Sequence, residues 1–260
     1  MFNLYKRTHM ELYFYNLIIN KIYFILFLFL FYGSFINLQN NILYSCGMNK
    51  NKLRPFKKQK GFDYFLFTNN KIKDKTNWTI LPIPEIINNL NISIIKKQRF
   101  IKLHPHLFFV NYDISIYMDT SCVIKGDLNI FLEKILSPKF NLFFFEHPRR
   151  NSIYSEINSV ISMKKELKEK ALLIMKRYKN KKFPDNYGLS DNKMIIRKHN
   201  KKNCIKLMEK WWDEIYKYSH RDQLSLSYII WNTGIKVKYI SRELLFEYFS
   251  FFAHIKRIKF

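Results

Sequence analysis

The segment Asn111–Asp127, NYDISIYMDTSCVIKGD, carries a residue pattern able to do ligand chemistry. Its β-rich run Tyr112–Met118 stops at Asp119, the small polar residues Thr120 and Ser121 follow, and the chain turns at Gly126-Asp127. Open α/β sheets place ligands where a buried strand delivers a carboxylate to its C-terminal end and breaks into a loop. An aspartate that merely caps a turn would look the same, so Asp119 alone leaves both readings open. Other chemistries lack their residues. Cys46, Cys122 and Cys204 form no CxxC pair and no zinc-like spacing, and neither an HExxH pair nor a G-x-S-x-G elbow occurs.

The elements around Asp119 alternate between strand and helix. Strands are expected at Ile42–Gly47, Asp63–Asn70, Trp78–Pro82 (short, proline-ended and hence near an edge), Tyr112–Met118, Phe140–Phe145, Lys193–Lys198 and Lys236–Ile240. Helical patterns occupy Ser93–Phe100, Leu128–Leu136 after Asp127, Tyr154–Lys179, Cys204–Ser219 and a segment beginning at Arg221. Trp211 and Trp212 on the fourth of these are read as core. The alternation, with polar residues gathered where strands end, predicts an α/β fold with a mainly parallel sheet and helices on both faces.

Length and composition allow one sizeable domain with an appendage. The 260 residues are 48% hydrophobic, which excludes global disorder, and 45 Lys and Arg against 20 Asp and Glu give a net charge of +25. That charge favours anionic partners such as phosphates, acidic lipid headgroups or acidic glycans, although an AT-biased genome would also enrich Lys, Asn, Ile, Phe and Tyr together. The aromatics lie in apolar runs and are not interleaved with basic residues, which argues against nucleic acid as a partner. A basic start (Lys6, Arg7) precedes the apolar stretch Leu12–Leu38, with an uncharged core from Ile22 to Ile36. It reads as a signal-anchor helix with the N-terminus cytoplasmic, or else as an apolar helix packed on the body. Three regions result: a basic tail and membrane anchor over 1–39, a catalytic-type body over 40–243, and a basic aromatic tail over 244–260 expected as an amphipathic helix on a membrane or on the domain. Asn77 and Asn91 head glycosylation tripeptides, used only if the body is lumenal, as in the Golgi or ER of a eukaryote.

The ordered blocks FTNN, Lys102 with Pro105-His106, YDISIYMD, HPRRNSIYSE, GLSDNKMIIRKHN and WWDEIYKYSHRDQLSLSYI span roughly Ile42–Ile240. In that order they resemble the glycosyltransferase-like domain family of plant mucilage-related proteins, which also holds a plant pollen protein described as an alkaline ceramidase. The resemblance implies a GT-A-like nucleotide-sugar transferase that moves a sugar to a hydroxyl on a glycan, lipid or protein. Its alternatives are a non-catalytic glycan- or membrane-binding protein on a degenerate transferase fold, and a ceramidase-type lipid amidase. Asp119 would stand where GT-A enzymes carry the first acid of Asp-x-Asp, and with Ser121 would hold Mn2+ or Mg2+. The second acid of that motif is here Ser121, which puts metal dependence in question. The resemblance further implies that Thr68 and Asn69 meet the nucleoside, that Lys102 and His106 face the donor, and that His147 and Arg150 clamp phosphate near Tyr154 and Glu156, with Glu156 either binding sugar hydroxyls or orienting Arg150. Arg221, Asp222 and Gln223 are implied as a further donor-side group, with Asp222 a general base on the acceptor hydroxyl, a donor-sugar contact or a helix N-terminal acid. Arg197 and His199 are weaker candidates.

Overall fold

Strict side-chain alternation along the central strands sets the architecture. In a computed structural model, residues 41–48, 53, 56–72 and 76–251 are described. Nine strands run in chain order among them: β1 (Asn41–Cys46), β2 (Phe62–Phe67), β3 (Thr79–Leu81), β4 (Ile114–Met118), β5 (Cys122–Ile124), β6 (Leu142–Glu146), β7 (Ser190–Arg197), β8 (Lys238–Ile240) and β9 (Phe249–Phe251). Seven form one sheet in the order β3-β2-β1-β4-β7-β6-β8. The pairs β1–β2, β1–β4, β2–β3 and β6–β8 are parallel, while β7 runs antiparallel to both of its neighbours. The mainly parallel sheet is as expected, and the proline-ended strand sits at the edge.

The helices are α1 (Glu85–Asn88), α2 (Ile94–Leu103), α3 (Pro105–Phe108), α4 (Leu128–Ile135), α5 (Ile153–Ser162), α6 (Lys168–Asn180), α7 (Lys202–Lys217), α8 (Leu226–Thr233) and α9 (Arg242–Tyr248). Alternate residues of each strand point to opposite faces. Leu43, Ile116, Met118, Phe143, Phe145, Met194 and Ile196 pack into one apolar cluster with Leu128, Phe131 and Ile135 of α4 and with Leu245 and Tyr248 of α9. From the other face Tyr44 donates to the Lys102 carbonyl of α2 at 2.6 Å, and Phe144 meets the Trp211 ring of α7 edge-on. Helices therefore cover both faces, as the sequence predicts.

Local signals explain the helix starts. Ser93 caps α2 by accepting from the Lys96 amide, Asp127 caps α4 by accepting from Asn129 and Ile130, and Ser152 caps α5 by accepting from Tyr154 and Ser155. Two expectations are corrected. The helical stretch Tyr154–Lys179 is two helices, broken where Lys164 adopts a left-handed φ of 52°; without Gly or Pro there, periodicity runs straight through the break. Arg221 precedes a single 3-10 turn, Asp222–Leu224, before α8 begins. The Val-Ile run after Asp119 forms β5, which pairs with β9 in a separate two-stranded sheet. The described part of the C-terminal stretch thus lies on the domain, with Tyr248 and Phe249 buried.

Trp211 and Trp212 are buried as expected, and the three cysteines are buried free thiols. The expected anchor, Leu12–Leu38, lies outside the described residues, and among those described no helix is long and apolar enough to cross a membrane.

Gly126 shows how tightly the small sheet is held. Its amide donates to the Tyr248 carbonyl at 3.1 Å, and a Cβ at this position would stand 2.5 Å from Cδ1 of the Tyr248 ring. Gly126→Ala is therefore expected to cost about 1–3 kcal/mol through overpacking. Urea unfolding of the variant beside the parent measures it, and an unchanged midpoint would show that the ring moves aside freely.

Candidate functional site

Asp119 leaves the C-terminal end of β4 half-buried. Its amide donates to the Lys193 carbonyl of β7 at 2.8 Å, and its carbonyl accepts from Cys122 at 2.9 Å, which closes the turn that presents its side chain. The Tyr117 hydroxyl donates to Asp119 Oδ1 at 2.8 Å, the hydrogen bond its carboxylate makes among the described residues.

Behind it lies a buried ion cluster. Lys102, only 1% exposed, donates to Asp222 Oδ2 at 2.6 Å and to the Asn192 carbonyl at 2.5 Å, and its ammonium lies 4.9 Å from the centre of the Tyr117 ring. The chain of contacts Asp119–Tyr117–Lys102–Asp222 therefore joins two acids more than a hundred residues apart in sequence. Arg99, one turn before Lys102 on α2, places Nε 3.2 Å from the same Asp222 oxygen. The contact is an ion pair without an aligned hydrogen bond, and Nε of Arg99 has no hydrogen-bond partner among the described residues. Burial works against the Arg99 charge, but Asp222, Tyr117 and Asp119 outweigh it and raise its pKa further.

Asp222 is held as an anion. Burial alone would raise its carboxyl, but Arg99 and Lys102, then Arg221, bring it down to about 2. Trp211 Nε1 donates to the Asp222 carbonyl at 3.2 Å and to Ser225 Oγ at 3.1 Å, and Gln223 donates to the Ser190 carbonyl at 3.3 Å. A buried carboxylate committed to a lysine and an arginine is a weak proton acceptor. This environment suits an anchor for two cations better than the general base expected of Asp222.

The residues after β6 make a second cluster. His147 Nδ1 accepts from the Arg149 and Arg150 amides at 3.3 and 3.1 Å, which requires that nitrogen unprotonated. Burial first, and then the Arg150 charge, lower its pKa to about 4. His147 is thus a neutral turn-former at neutral pH, and any part it takes beside Arg150 in the expected phosphate clamp is through Nε2 and not through charge. Arg150 donates through Nε to buried Glu156 at 2.6 Å, so Glu156 orients Arg150, one of its two expected roles. Tyr154 instead donates to the Phe183 carbonyl at 2.8 Å.

β7 links the two clusters. Because it runs antiparallel, its first residues arrive at the edge where β4 and β6 end. Asp191 and Lys193, paired at 3.2 Å, both act electrostatically on His147 and on Cys122, and Cys122 also feels Asp119. Neither Arg99 nor Asp191 stood out in the sequence. Arg99 hides in the run KKQRFIK, which reads as a solvated face, although its spacing of three from Lys102 puts both on one side of α2.

Other expected residues lie elsewhere. Thr68 donates to the Gly47 carbonyl at 3.0 Å, and Asn69 accepts from the Ile83 amide at 2.9 Å, so both brace loops where β1 and β2 end. His106 is buried against Glu209 of α7 at 3.1 Å, with His104 on the same carboxylate. It packs in that interhelical contact and shows no link to Asp119. Arg197 lies in the core against Tyr44 and Met208, and His199 binds the Phe109 carbonyl.

The donor set at Asp119 is one carboxylate with an oxygen left open and the Ser121 hydroxyl two residues on. No group of three or more His, Cys, Asp or Glu able to hold a metal occurs among the described residues. Such a set fits a hard cation that takes most of its ligands from phosphate and water, and does not fit a closed protein cage.

Neutralising Asp222 would strand the buried Lys102, so Asp222→Asn is expected to cost about 3–5 kcal/mol. Because the Asp222 carboxyl sits at about 2, below its ordinary 3.8, the stability it lends is present above about pH 4 and lost as the pH falls through about 2. Denaturant unfolding as a function of pH should show that loss in the parent and a flatter profile in the variant.

Comparison with known proteins places these residues in context. A search of curated proteins returns no match. Among solved structures, mouse xyloside xylosyltransferase 1 in its apo form aligns at 9% identity over 77% of this chain and 85% of its own, with a TM-score of 0.49. The apo bifunctional glycosyltransferase WbbM aligns at 12% identity over 80% of this chain and 40% of its own, with a TM-score of 0.45. The galactosyltransferase LgtC with donor and acceptor sugar analogues gives 10%, 76%, 72% and 0.41 in the same order. At these scores they carry no weight for the chemistry. The family model described as TOD1/MUCI70, glycosyltransferase-like domain, matches residues 55–253, which include Asp119, Arg99, Lys102, His147, Arg150 and Asp222. The chain belongs to the TOD1/MUCI70 glycosyltransferase-like domain family.

Proposed function

We propose that the chain is a glycosyltransferase of GT-A type, held at a membrane by Leu12–Leu38, that moves a sugar from a nucleotide-sugar donor to a hydroxyl on a glycan, lipid or protein. Beyond family membership, one observation carries the reading: an open carboxylate, Asp119, stands at the end of a central strand and, with Asp222, supports the charge of Arg99, whose Nε has no hydrogen-bond partner among the described residues. Open α/β sheets bind ligands in the crevice outside the carboxyl ends of their strands, which is where this carboxylate stands.

In transfer, the acceptor oxygen bonds to the anomeric carbon while the bond from that carbon to the diphosphate breaks. The diphosphate departs with the electron pair, and the acceptor proton passes to a base. Charge therefore grows on the leaving diphosphate, and fixed cations in a partly buried site stabilise it. Arg99 is suited to this because Asp222 orients it from one side and leaves its other nitrogens for phosphate. Lys102 acts through Asp222 and the Asn192 carbonyl, stiffening α2 against β7. Arg150, oriented by Glu156, can add a second phosphate contact. A divalent cation, Mn2+ or Mg2+, would be held by Asp119 with Ser121, and would supply further charge neutralisation on the diphosphate. The anchor would place the body on the far side of the membrane from the N-terminus, lumenal in a eukaryote.

Turnover of a panel of UDP- and GDP-sugars, with and without Mn2+, tests the reading. Arg99→Ala and Asp119→Asn are each expected to lower kcat about 10²–10³-fold with folding intact. No turnover of any donor, together with no nucleotide binding by calorimetry, would overturn it.

A further inference from the structure

The most exposed apolar side chains gather on one surface remote in sequence from Asp119. Leu167, at the start of α6, is 69% exposed and Leu173 is 60% exposed, and Ile94, Ile95 and Tyr216 are exposed as well. Contacts join the three segments that carry them. Lys96 donates to the Tyr216 carbonyl at 2.6 Å with its ammonium 5.2 Å from that ring, so the first turn of α2 lies against the end of α7. Ser219 and His220, just past α7, both meet Glu166, the residue before Leu167, so the start of α6 lies against the same end of α7. Leu173 follows Lys170 by three residues on one strip of α6, and Arg177, next along it, stacks on Tyr218 of the α7 end at 4.2 Å.

Lysines outnumber the acids on this surface, Glu169 and Asp213, the latter one turn before Tyr216 on α7. Lys164, Lys165 and Lys168 flank Leu167, and Lys217 follows Tyr216. Glu166 turns inward, its side chain 5% exposed, to accept from Ser219 and to lie 3.7 Å from His220. Glu169 is the exposed acid of the segment 163–173. Clustered apolar side chains ringed by lysines mark an interaction surface. A second copy of the chain would bring the same lysines against themselves, on a protein that already carries +25.

We propose that this surface docks the folded body on an anionic phospholipid bilayer, with Leu167, Leu173 and Ile94 at the headgroup–acyl boundary and the surrounding lysines on lipid phosphates. It is a contact of the folded body's own residues.

The three native cysteines are buried, so Leu167→Cys in the full-length chain can be labelled selectively with bimane. Vesicles of phosphatidylcholine with about 30% phosphatidylserine should shift the bimane emission to the blue, and phosphatidylcholine vesicles should not. Adding Leu173→Glu should weaken that response about tenfold in lipid concentration, with circular dichroism unchanged. No shift on the anionic vesicles would overturn the proposal. So would a shift that grows with protein concentration without lipid, which means self-association, or an equal shift with soluble polyaspartate, which means an acidic protein partner. Sugar-donor turnover in detergent should be the same for parent and Leu173→Glu, so this result and the transferase reading stand or fall apart.

Discussion

A lysine ammonium buried to 1% exposure is costly unless it is paired, and the architecture around the site follows from neutralising it. Lys102 reaches three separate parts of the chain: the Asp222 carboxylate after α7, the Asn192 carbonyl on β7 and the Tyr117 ring on β4. None of these is free to drift without exposing an unpaired charge to an apolar interior. Tyr44 adds a bond from β1 to the Lys102 carbonyl, so backbone and side chain of one residue tie α2 to three central strands. Arg99 inherits its position from that lattice, and Asp119 is steadied by the same tyrosine that faces the ammonium.

Much of the fold was legible because alternation is a local signal. YDISIYMD yields β4 with Tyr117 and Asp119 toward one face and Ile116 and Met118 toward the other, and the caps Ser93 and Asp127 mark their helices. Likewise the polar residues after β6 fall at a strand-to-helix junction, and Arg150 and Glu156 do meet. What escaped depends on partners distant in sequence. His106 is a donor-facing candidate from its neighbours alone, but Glu209, 103 residues later, claims it. Asp222 looks like a base or a helix-end acid until α2 delivers two cations onto it. Arg99 is concealed by its lysine neighbours, and Asp191 by a polar Ser-Asp-Asn run that resembles a turn. Side-chain chemistry can be read from a residue type, but its protonation and orientation are set by whatever the topology brings alongside.

The reversed strand has its own part in this. In an all-parallel sheet β7 would present its C-terminal residues to the Asp119 edge, and those include Arg197, here immersed in the core. Running the other way, it brings Ser190, Asp191 and Asn192 there instead, a set of small polar groups and backbone carbonyls that accept from Lys102 and Gln223. The edge gains acceptors without gaining another buried cation.

The pairing of β5 with β9 has a consequence for biosynthesis. Cys122–Ile124, immediately after the Asp119 turn, pairs among the described residues with Phe249–Phe251. During translation the central strands can assemble while the ribosome is still making the last helices, but the wall beside the carboxylate must wait, its partner strand not yet synthesised. A nascent body would therefore acquire its sheet before its pocket, and an unfinished chain would be folded yet blunt.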